Sequence, residues 1–234
     1  MANIFITGIS SGIGLGIAGK YLEMGWNVYG LSRRECPLNH DSLHEVNADL
    51  NDTANLPGAL YELFDDTREL DLVVLNAGVL GTIADMKDVQ LPELKKTMDI
   101  NLWSNKVVLD WLFKHMNRVD QVVAISSGAA VNGSRGWNGY SISKAALNML
   151  VKLYSVEQPE THFISFAPGL VDTAMQDYLC SQTEVDKYPS LSRIQASRGT
   201  DGMPHPEQLA EKLPAVFEEI KSLESGGFID IRKM

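Results

Sequence analysis

The sequence contains only two cysteines, Cys36 and Cys180, far apart along the chain. So few cysteines exclude a disulfide framework, and their spacing does not fit a zinc site. We therefore expect two free thiols in a reducing compartment and no metal site. Histidine is also scarce, with five residues in 234, and none stands in the setting of a catalytic triad.

An excess of basic residues is missing as well. Twenty Lys and Arg residues stand against thirty Asp and Glu, which gives a formal net charge of −10 at pH 7. Nucleic-acid binding needs a basic surface, so the balance argues against a nucleic-acid partner. No apolar run is long enough to span a bilayer, and the start "MANIFITG" lacks the basic segment of a secretory leader. These absences predict a cytoplasmic protein with no membrane partner.

Short β-rich runs alternate with helical segments along the whole chain. "NIFIT", "LDLVVLNAG" and "QVVAIS" are typical of buried strands, and long helical segments are predicted at about 91–117 and after Tyr140. This alternation predicts a single-domain α/β protein over residues 1–234, a Rossmann-type doubly wound parallel sheet with helices on both faces. Residues 173–205 are polar and weakly periodic, and we expect an irregular substrate lid there.

A glycine-rich turn follows the first predicted strand. "ITGISSGIGLGIA" places Gly8, Gly12 and Gly14 between that strand and the first helix. Glycine permits close approach of a ligand to the backbone, and a helix N-terminus offers unpaired N–H groups to a phosphate. A tight turn with no ligand also uses glycines, but the position directly after the first strand favours a dinucleotide site.

Two arginines stand at the end of the second predicted strand, in "VYGLSRRE". Dinucleotide folds place an acid there for the ribose hydroxyls, or an arginine for a 2′-phosphate. Here Ser32 is followed by Arg33 and Arg34, and guanidinium groups bind phosphate through paired hydrogen bonds. A solvated basic pair beside Glu35 is the simpler interpretation of the arginines alone. Together with the glycine turn, they predict NADP(H) as the cofactor.

Tyr140 and Lys144 stand four positions apart on a predicted helix, in "GYSISKAALNML". That spacing puts both side chains on one helix face, where an ammonium lowers the pKa of a phenol and prepares it for proton transfer. Ser127 ends the strand "QVVAISS", where its hydroxyl would hold a substrate carbonyl. The alternative interpretation is that Tyr140 and Lys144 are exposed surface residues that have this spacing by chance. A serine hydrolase lacks support, because none of the five histidines is placed as the partner of a nucleophilic serine.

In combination, these motifs resemble the short-chain dehydrogenase/reductase family over essentially the whole chain. The matching segments are "TGISSGIG" at 7–14, "NAG" at 76–78, Asn101 in "DINLW", Ser127, "YSISK" at 140–144 and "PGLVDT" at 168–173. The sequence departs from the family in two places. Leu75 replaces the first residue of the frequent Asn-Asn-Ala-Gly, and no basic residue precedes Gly12, which leaves any NADP preference to the arginine pair.

The resemblance implies a role for each matching position. Tyr140 would be the general acid, Ser127 would orient the carbonyl, Lys144 would bind the nicotinamide ribose, and Asn101 would hold a water that links Lys144 to solvent. The implied cofactor contacts comprise the turn, the adenine side, the central strand end and the nicotinamide side: Gly8, Ser10, Ser11, Gly12, Ile13, Gly14, Arg33, Arg34, Asp49, Leu50, Asn76, Ala77, Gly78, Tyr140, Lys144, Pro168, Gly169, Val171 and Thr173.

The closing segment "LESGGFIDI" is similar to that of the sepiapterin reductase and benzil reductase subgroup. By this resemblance Asp230 would anchor a pterin substrate, although a carboxylate that caps the last strand would look the same in sequence. An aromatic-friendly pocket is expected from Trp137 and from Met175, Tyr178, Leu179 and Tyr188 of the lid. The expected activity is NADPH-dependent reduction of a small ketone or vicinal dicarbonyl.

Two alternatives remain open in the sequence. A 3-oxoacyl thioester reductase uses the same catalytic set but needs a basic patch for an acidic carrier. A non-catalytic NADP-sensing protein would need the phosphate-binding residues but not Ser127, Tyr140 and Lys144. The resemblance also implies a homodimer or homotetramer built on the long helices, with Leu102, Val107, Leu147 and Leu150 as candidate contacts.

Overall fold

A seven-stranded parallel sheet forms the centre of the computed structural model, which describes all 234 residues. Its strands are β1 Asn3–Thr7, β2 Asn27–Ser32, β3 Leu43–Asn47, β5 Leu72–Leu75, β7 Gln121–Ile125, β8 His162–Ala167 and β9 Gly227–Asp230. Their spatial order is β3-β2-β1-β5-β7-β8-β9, and a separate parallel pair joins β4 Glu69–Leu70 to β6 Arg118–Val119. This topology confirms the predicted doubly wound sheet.

Helices cover both faces of the sheet. They are α1 Gly12–Glu23, α2 Leu56–Leu63, α3 Leu91–Met98, α4 Ser104–His115, α5 Asn138–Glu157, α6 Ala174–Cys180, α7 Pro189–Ser197, α8 Pro206–Ala210 and α9 Leu213–Glu219. One core cluster packs α2, α4 and α5 against the sheet, and a second packs α1, α8 and α9 against its other face. The central strands are buried on both faces, which explains their nearly continuous apolar sequences.

The order of the strands reverses at the centre of the sheet. β1 pairs with β2 on one side and with β5 on the other, so the connections leave β1 and β5 in opposite directions. A crevice forms at the carboxyl ends of strands on either side of such a reversal. The turn after β1 and the segment after β5 therefore meet at the place where this fold class binds ligands.

The helical region predicted at 91–117 is interrupted in the structure. α3 and α4 are joined by a π-helical turn, Asp99–Trp103, which widens the backbone and carries Asn101 at its centre. π-turns of this kind are frequent at functional sites because the extra residue shifts the side chains that follow. A hydrophobic pattern with helical period does not distinguish this turn from an ordinary helix.

Residues 173–205 differ from the irregular lid expected from the sequence, because they contain the helices α6 and α7. Their apolar side chains, Leu179, Leu191 and Ile194 among them, form a third cluster with the Tyr140 ring. The weak periodicity reflects the shortness of the two helices, which span seven and nine residues. We refer to residues 173–205 as the lid. None of the helices in the structure combines the length and hydropathy needed to cross a bilayer.

Candidate active site

The glycine turn is shaped by backbone conformations that favour glycine. Gly8 and Gly12 have φ angles of 79° and 61°, in the left-handed region. A Cβ on Gly14 would lie 2.2 Å from the carbonyl oxygen of Gly8, so no side chain fits there. The Ser11 side chain does not cap α1, which begins at Gly12. The first N–H groups of the helix are thus available to an anion.

A clamp of hydrogen bonds joins this turn to the end of β5. The Thr7 hydroxyl accepts hydrogen bonds from the backbone N–H groups of Asn76 (3.0 Å) and Ala77 (3.1 Å). In return, Asn76 Nδ2 donates to the carbonyl oxygens of Thr7 (2.9 Å) and Gly8 (3.2 Å). Asn76 therefore fixes the turn to the central strand.

Arg33 and Arg34 line the same cleft, beside the glycine turn. Arg34 Nη2 donates to the Ser11 hydroxyl at 3.3 Å. The salt bridges of the protein involve neither arginine, so the expected partner Glu35 does not neutralise them. Two uncompensated guanidinium groups in a chain of net charge −10 make this end of the cleft a site for an anion.

Ser127, Tyr140 and Lys144 lie at the other end of the cleft. Ser127 follows β7, while Tyr140 and Lys144 stand on the first turns of α5. Lys144 is buried, with Nζ donating to the Ile125 carbonyl oxygen at 2.7 Å and lying 5.9 Å from the centre of the Tyr140 ring. The structure thus brings together the three side chains to which the sequence assigned the chemistry.

Burial shifts the pKa values of Lys144 and Tyr140 in opposite directions. Loss of solvent lowers the pKa of the Lys144 ammonium from 10.5 to about 8. Burial also raises the pKa of the Tyr140 phenol, and the Ser127 side chain acts in the opposite direction. The structure therefore differs from the expectation that Lys144 lowers the pKa of Tyr140, because burial has the largest effect on that phenol. The phenol is held protonated, which is the form that a general acid requires.

Asn101 lies behind the cleft rather than in its wall. Its Nδ2 donates to the carbonyl oxygen of Val79 (2.8 Å) and the hydroxyl of Ser143 (2.9 Å), and its Oδ1 accepts from Val79 N–H (2.8 Å). A Cβ on Gly78 would lie 3.2 Å from Asn101 Oδ1 and 3.4 Å from Lys144 Nζ. The Asn101 side chain thus braces the segment after β5 beside Lys144, and its role in a water relay stays a prediction.

Most of the other residues assigned to the cofactor share this cleft of about 380 Å³. Gly14 is absent from the lining because it packs against the turn itself. The lining residues from the predicted set are Gly8, Ser10, Ser11, Gly12, Ile13, Arg33, Arg34, Asp49, Leu50, Asn76, Ala77, Gly78, Ser127, Tyr140, Lys144, Pro168, Gly169, Val171 and Thr173.

The lid contributes an apolar wall near Tyr140. Met175 and Leu179 line the cleft together with Trp137, whose ring centre is 5.8 Å from that of Tyr140. Tyr178 and Tyr188 do not line it, although the sequence assigned them to the pocket. Tyr188 packs instead against Gly136, where a Cβ would lie 2.7 Å from Tyr188 Cδ1.

Side-chain hydrogen bonds attach the lid to the loop that precedes Tyr140. Trp137 Nε1 donates to the Ser190 hydroxyl at 2.8 Å, which joins this loop to α7. The Arg135 guanidinium of the same loop pairs with Asp85 through Nε (2.7 Å) and Nη2 (2.6 Å). The apolar wall is therefore held by contacts between segments distant in sequence.

Asp230 lies outside the cleft. Its carboxylate accepts from Arg232 Nε (2.8 Å), Nη2 (2.5 Å) and backbone N–H (3.1 Å), and this ion pair lowers the pKa of Asp230. A Cβ on Gly128 would lie 3.2 Å from Arg232 Nη2, so the pair packs behind the Ser127 loop. The carboxylate thus makes a contact at the end of the last strand, as in the capping alternative that the sequence left open, and its role as a substrate anchor stays a prediction.

Gln176 lines the cleft but was not among the residues assigned from the sequence. It stands on α6, buried to 8% exposure, and its Oε1 has no hydrogen-bond partner. The signal that identifies it is the spacing 173, 176 and 179 on one helix face. A spacing of three residues places side chains on one face only in a helix, and the sequence predicts irregular structure for this segment.

These features fit a nicotinamide dinucleotide. The glycine turn leaves room for a diphosphate where any side chain at Gly14 would collide with the backbone. The unpaired arginines adjoin the turn, and the buried Tyr140 and Lys144 end the same cleft. The residues that line the cleft, with the turn and arginines at one end and Tyr140 at the other, thus fit an elongated anionic ligand.

Comparison with known proteins agrees with this geometry. A family model described as short chain dehydrogenase matches residues 2–184. A benzil reductase, (S)-benzoin forming, from Bacillus subtilis (strain 168) is 32% identical over 97% of both chains. The sepiapterin reductase of Rattus norvegicus is 31% identical over 68% of this chain and 62% of its own.

A solved structure shares the fold. A short chain dehydrogenase/reductase from Saccharomyces cerevisiae superposes with a TM-score of 0.87 at 24% identity, and the match covers 98% of this chain and 96% of the other. The family model spans most of the sequence, and a relative above 30% identity spans nearly all of it. The chain therefore belongs to the short-chain dehydrogenase/reductase family of nicotinamide-dependent oxidoreductases, which act on C=O and CH–OH groups.

Proposed function

We propose that the protein is an NADPH-dependent carbonyl reductase that reduces a small aromatic ketone or vicinal dicarbonyl, of the benzil or sepiapterin type. One observation carries the proposal: Ser127, Tyr140 and Lys144 line one end of a cleft whose other end is the glycine turn. The relatives at about 30% identity include proteins named for reduction of such compounds.

The chain's own residues supply the proton and the alignment. Bound NADPH supplies the hydride, which goes to the carbonyl carbon of the substrate. The Ser127 hydroxyl donates a hydrogen bond to the carbonyl oxygen and holds it at Tyr140. The Tyr140 phenol, kept protonated by burial, transfers its proton to that oxygen as the alcohol forms.

Lys144 has two tasks in this arrangement. Its hydrogen bond to the Ile125 carbonyl oxygen fixes Nζ beside the Tyr140 ring, with the other N–H groups left to bind a ribose hydroxyl. A phenolate is left on Tyr140 once the proton is given, and the nearby ammonium stabilises that negative charge. Lys144 therefore acts after proton transfer more than before it.

The arginine pair supports NADPH over NADH. Arg33 and Arg34 line the cleft beside the turn without a carboxylate partner, and no acidic residue takes the place of Ser32 at the end of β2. A 2′-phosphate would bind these guanidinium groups, whereas the free ribose hydroxyl of NADH lacks the charge to use them.

The apolar wall supports an aromatic substrate. Trp137, Met175 and Leu179 line the cleft near Tyr140, and Leu170 adds to them. Flat aromatic groups pack well against such a wall, and methionine adapts to their outline.

The test is consumption of NADPH with three carbonyl compounds: benzil, sepiapterin and an acetoacetyl thioester. We expect turnover of benzil or sepiapterin at least tenfold more efficient than that of the thioester, and a fall of about 10³-fold in kcat with Tyr140→Phe. Preference for the thioester would identify a 3-oxoacyl reductase instead. NADPH binding without turnover of any carbonyl would favour a sensing protein.

Cofactor preference is tested separately with the double variant Arg33→Ala/Arg34→Ala. We expect the Kd for NADPH to rise at least tenfold and the Kd for NADH to change less than twofold. Arg193→Ala, which removes an exposed charge outside the cleft, is the matched control and should change neither value. An equal loss for both dinucleotides in the double variant would contradict the 2′-phosphate assignment.

A homodimer through the outer face of the long helices completes the proposal. Leu102 and Leu147, two of the predicted contacts, are buried in the core. The large apolar residues exposed on α5 are instead Ile142, Met149, Leu153 and Val156, and Trp103 is exposed on the π-helical turn. Such a stripe is typical of a helix that packs against a partner. Met149→Lys/Leu153→Lys should give a monomer in sedimentation, and an unchanged mass would contradict this interface.

A further inference from the structure

Six buried polar side-chain atoms have no hydrogen-bond partner in the protein. They are Asn105 Oδ1, Trp111 Nε1, Ser141 Oγ, His162 Nδ1, Ser165 Oγ and Gln176 Oε1. Of the six atoms, only Gln176 Oε1 belongs to a residue that lines the cleft. An amide oxygen buried without a donor is unfavourable, and in a binding cleft the missing donor can come from the ligand.

Gln176 lies between the two ends of the cleft. It stands three positions after Thr173, the residue that precedes α6, and three before Leu179, so the three side chains lie on one side of this segment. The Thr173 methyl lies 3.3 Å from the position of a Cβ on Gly12, and so against the glycine turn. Leu179 packs in the cluster that contains the Tyr140 ring. The amide therefore stands between the phosphate-binding turn and the catalytic tyrosine.

That position matches one part of the cofactor. A dinucleotide with its diphosphate at the glycine turn and its reactive carbon at Tyr140 must place the nicotinamide ring between them. The ring carries one hydrogen-bond donor, the N–H₂ of its carboxamide, and the unpartnered Gln176 Oε1 is an acceptor. We propose that Gln176 accepts a hydrogen bond from the nicotinamide carboxamide and is a cofactor-positioning residue.

This inference rests on the proposed function only in placing the ring beside Tyr140. It concerns the carboxamide, which NADPH and NADH share, so it is independent of the arginine pair. It is also independent of the carbonyl compound reduced, since no contact to the substrate is invoked. A binding measurement therefore tests it without turnover.

The experiment compares two dinucleotides in two proteins. NADPH and its reduced 3-acetylpyridine analogue differ in that a methyl ketone replaces the carboxamide, so the carbonyl stays and the N–H₂ is lost. Wild type and Gln176→Met are titrated with each, and Kd is measured by calorimetry and by quenching of tryptophan fluorescence. The same titrations with NADH and its analogue exclude an effect of the 2′-phosphate.

We expect Gln176→Met to raise the Kd for NADPH about tenfold, the effect of one neutral hydrogen bond. The Kd for the acetylpyridine analogue should change less than twofold, because the bond is already missing there. Gln195→Met is the matched control. Its amide donates to the carbonyl oxygens of Cys180 (3.2 Å) and Gln182 (2.8 Å) within the lid. A loosened lid should weaken both ligands equally.

Three results would overturn the inference. Equal weakening of NADPH and analogue by Gln176→Met would make Gln176 a structural residue of the lid. Unchanged binding of both would remove it from the cofactor site, and unchanged binding with a raised KM for the carbonyl compound would assign it to the substrate. Selective weakening of NADPH in a protein that reduces none of the carbonyl compounds would instead support Gln176 and contradict the proposed function.

Discussion

The glycine turn at residues 7–14 and the lid at 173–205 contribute to the same cleft but are built differently. The turn is made of backbone, with positive φ angles at Gly8 and Gly12 and a side-chain clamp from Thr7 and Asn76. The lid is held by side chains from distant segments, such as the bond between Trp137 and Ser190. A wall made of backbone tolerates few sequences, whereas a wall made of packed side chains tolerates many.

The difference assigns separate tasks to the two regions. In the proposed function the turn binds the diphosphate, a part common to all nicotinamide dinucleotides, so that ligand constrains the geometry of the turn. In the proposed function the lid faces the carbonyl compound with Met175 and Leu179, and apolar pockets of this kind change specificity by exchange of side chains. Binding of the cofactor and choice of substrate should therefore respond to different mutations.

The largest expected effect separates binding from chemistry. Tyr140→Phe keeps the ring in its cluster but removes the proton donor, so kcat should fall about 10³-fold. The Kd for NADPH should stay within twofold, measured by fluorescence titration of the same sample. Turnover that survives the substitution would mean that another group supplies the proton.

The next effect compares two glycines of α1, Gly14 in the glycine turn and Gly19 farther along the helix. Gly14→Ala places a methyl group 2.2 Å from the Gly8 carbonyl oxygen, and we expect a loss of about 3 kcal/mol in the free energy of unfolding, together with weaker dinucleotide binding. Gly19→Ala on the same helix is the control. Its Cβ meets no atom nearer than 3.8 Å, so stability should rise by about 0.5 kcal/mol. Similar results at both positions would contradict a steric cradle.

A smaller effect concerns Lys144, which is buried at the catalytic end of the cleft. Because burial lowers its pKa from 10.5 to about 8, the folded protein is destabilised by the charged form below pH 8. That penalty disappears as the pH rises through 10.5. Relative to Lys144→Met, the wild type should therefore gain about 2 kcal/mol of unfolding free energy between pH 7 and pH 9.5.

Denaturant unfolding of both proteins at the two pH values measures this difference. Titration of other groups cancels in the comparison, since the variant retains them. A difference that stays constant with pH would show that Lys144 has an ordinary pKa and is not desolvated.

The smallest effect is expected at the lid. Ser190→Ala leaves Trp137 Nε1 without its acceptor, and we expect a loss of about 1 kcal/mol in stability. The Kd for NADPH should stay unchanged, while the KM for benzil should rise a few-fold as the Trp137 ring becomes mobile. Steady-state kinetics with thermal unfolding would check both. A weakened NADPH affinity with an unchanged KM would remove the distinction between the two regions.

The sheet and the cofactor wall were predictable because their signals are local. β1, the glycine turn and the start of α1 lie within residues 3–14, and each glycine is required by a conformation or a short contact at that position. The spacing of Tyr140 and Lys144 likewise lies within one helix. Such features follow from the adjacent sequence, so a motif is sufficient.

The missing details depend on contacts between distant segments. The ion pair of Asp230 with Arg232 is local, but its packing behind Gly128 requires the register of β9 beside β8. Burial of Tyr188 on Gly136 joins residues that are 52 positions apart. The unpartnered Gln176 oxygen emerges only once α6 is recognised as a helix that faces the cleft. Sequence patterns identify these residues without fixing which neighbours they meet.

Transfer of deuterium from the reduced cofactor to the product tests the central claim most directly. NADPH that carries deuterium at its transferable position is mixed with benzil and the wild-type protein, and the product is examined by mass spectrometry and NMR. We predict a hydroxy ketone with one deuterium on the carbinol carbon and none on oxygen. An unlabelled product, or oxidation of NADPH without reduction of the carbonyl, would contradict direct hydride transfer in this cleft.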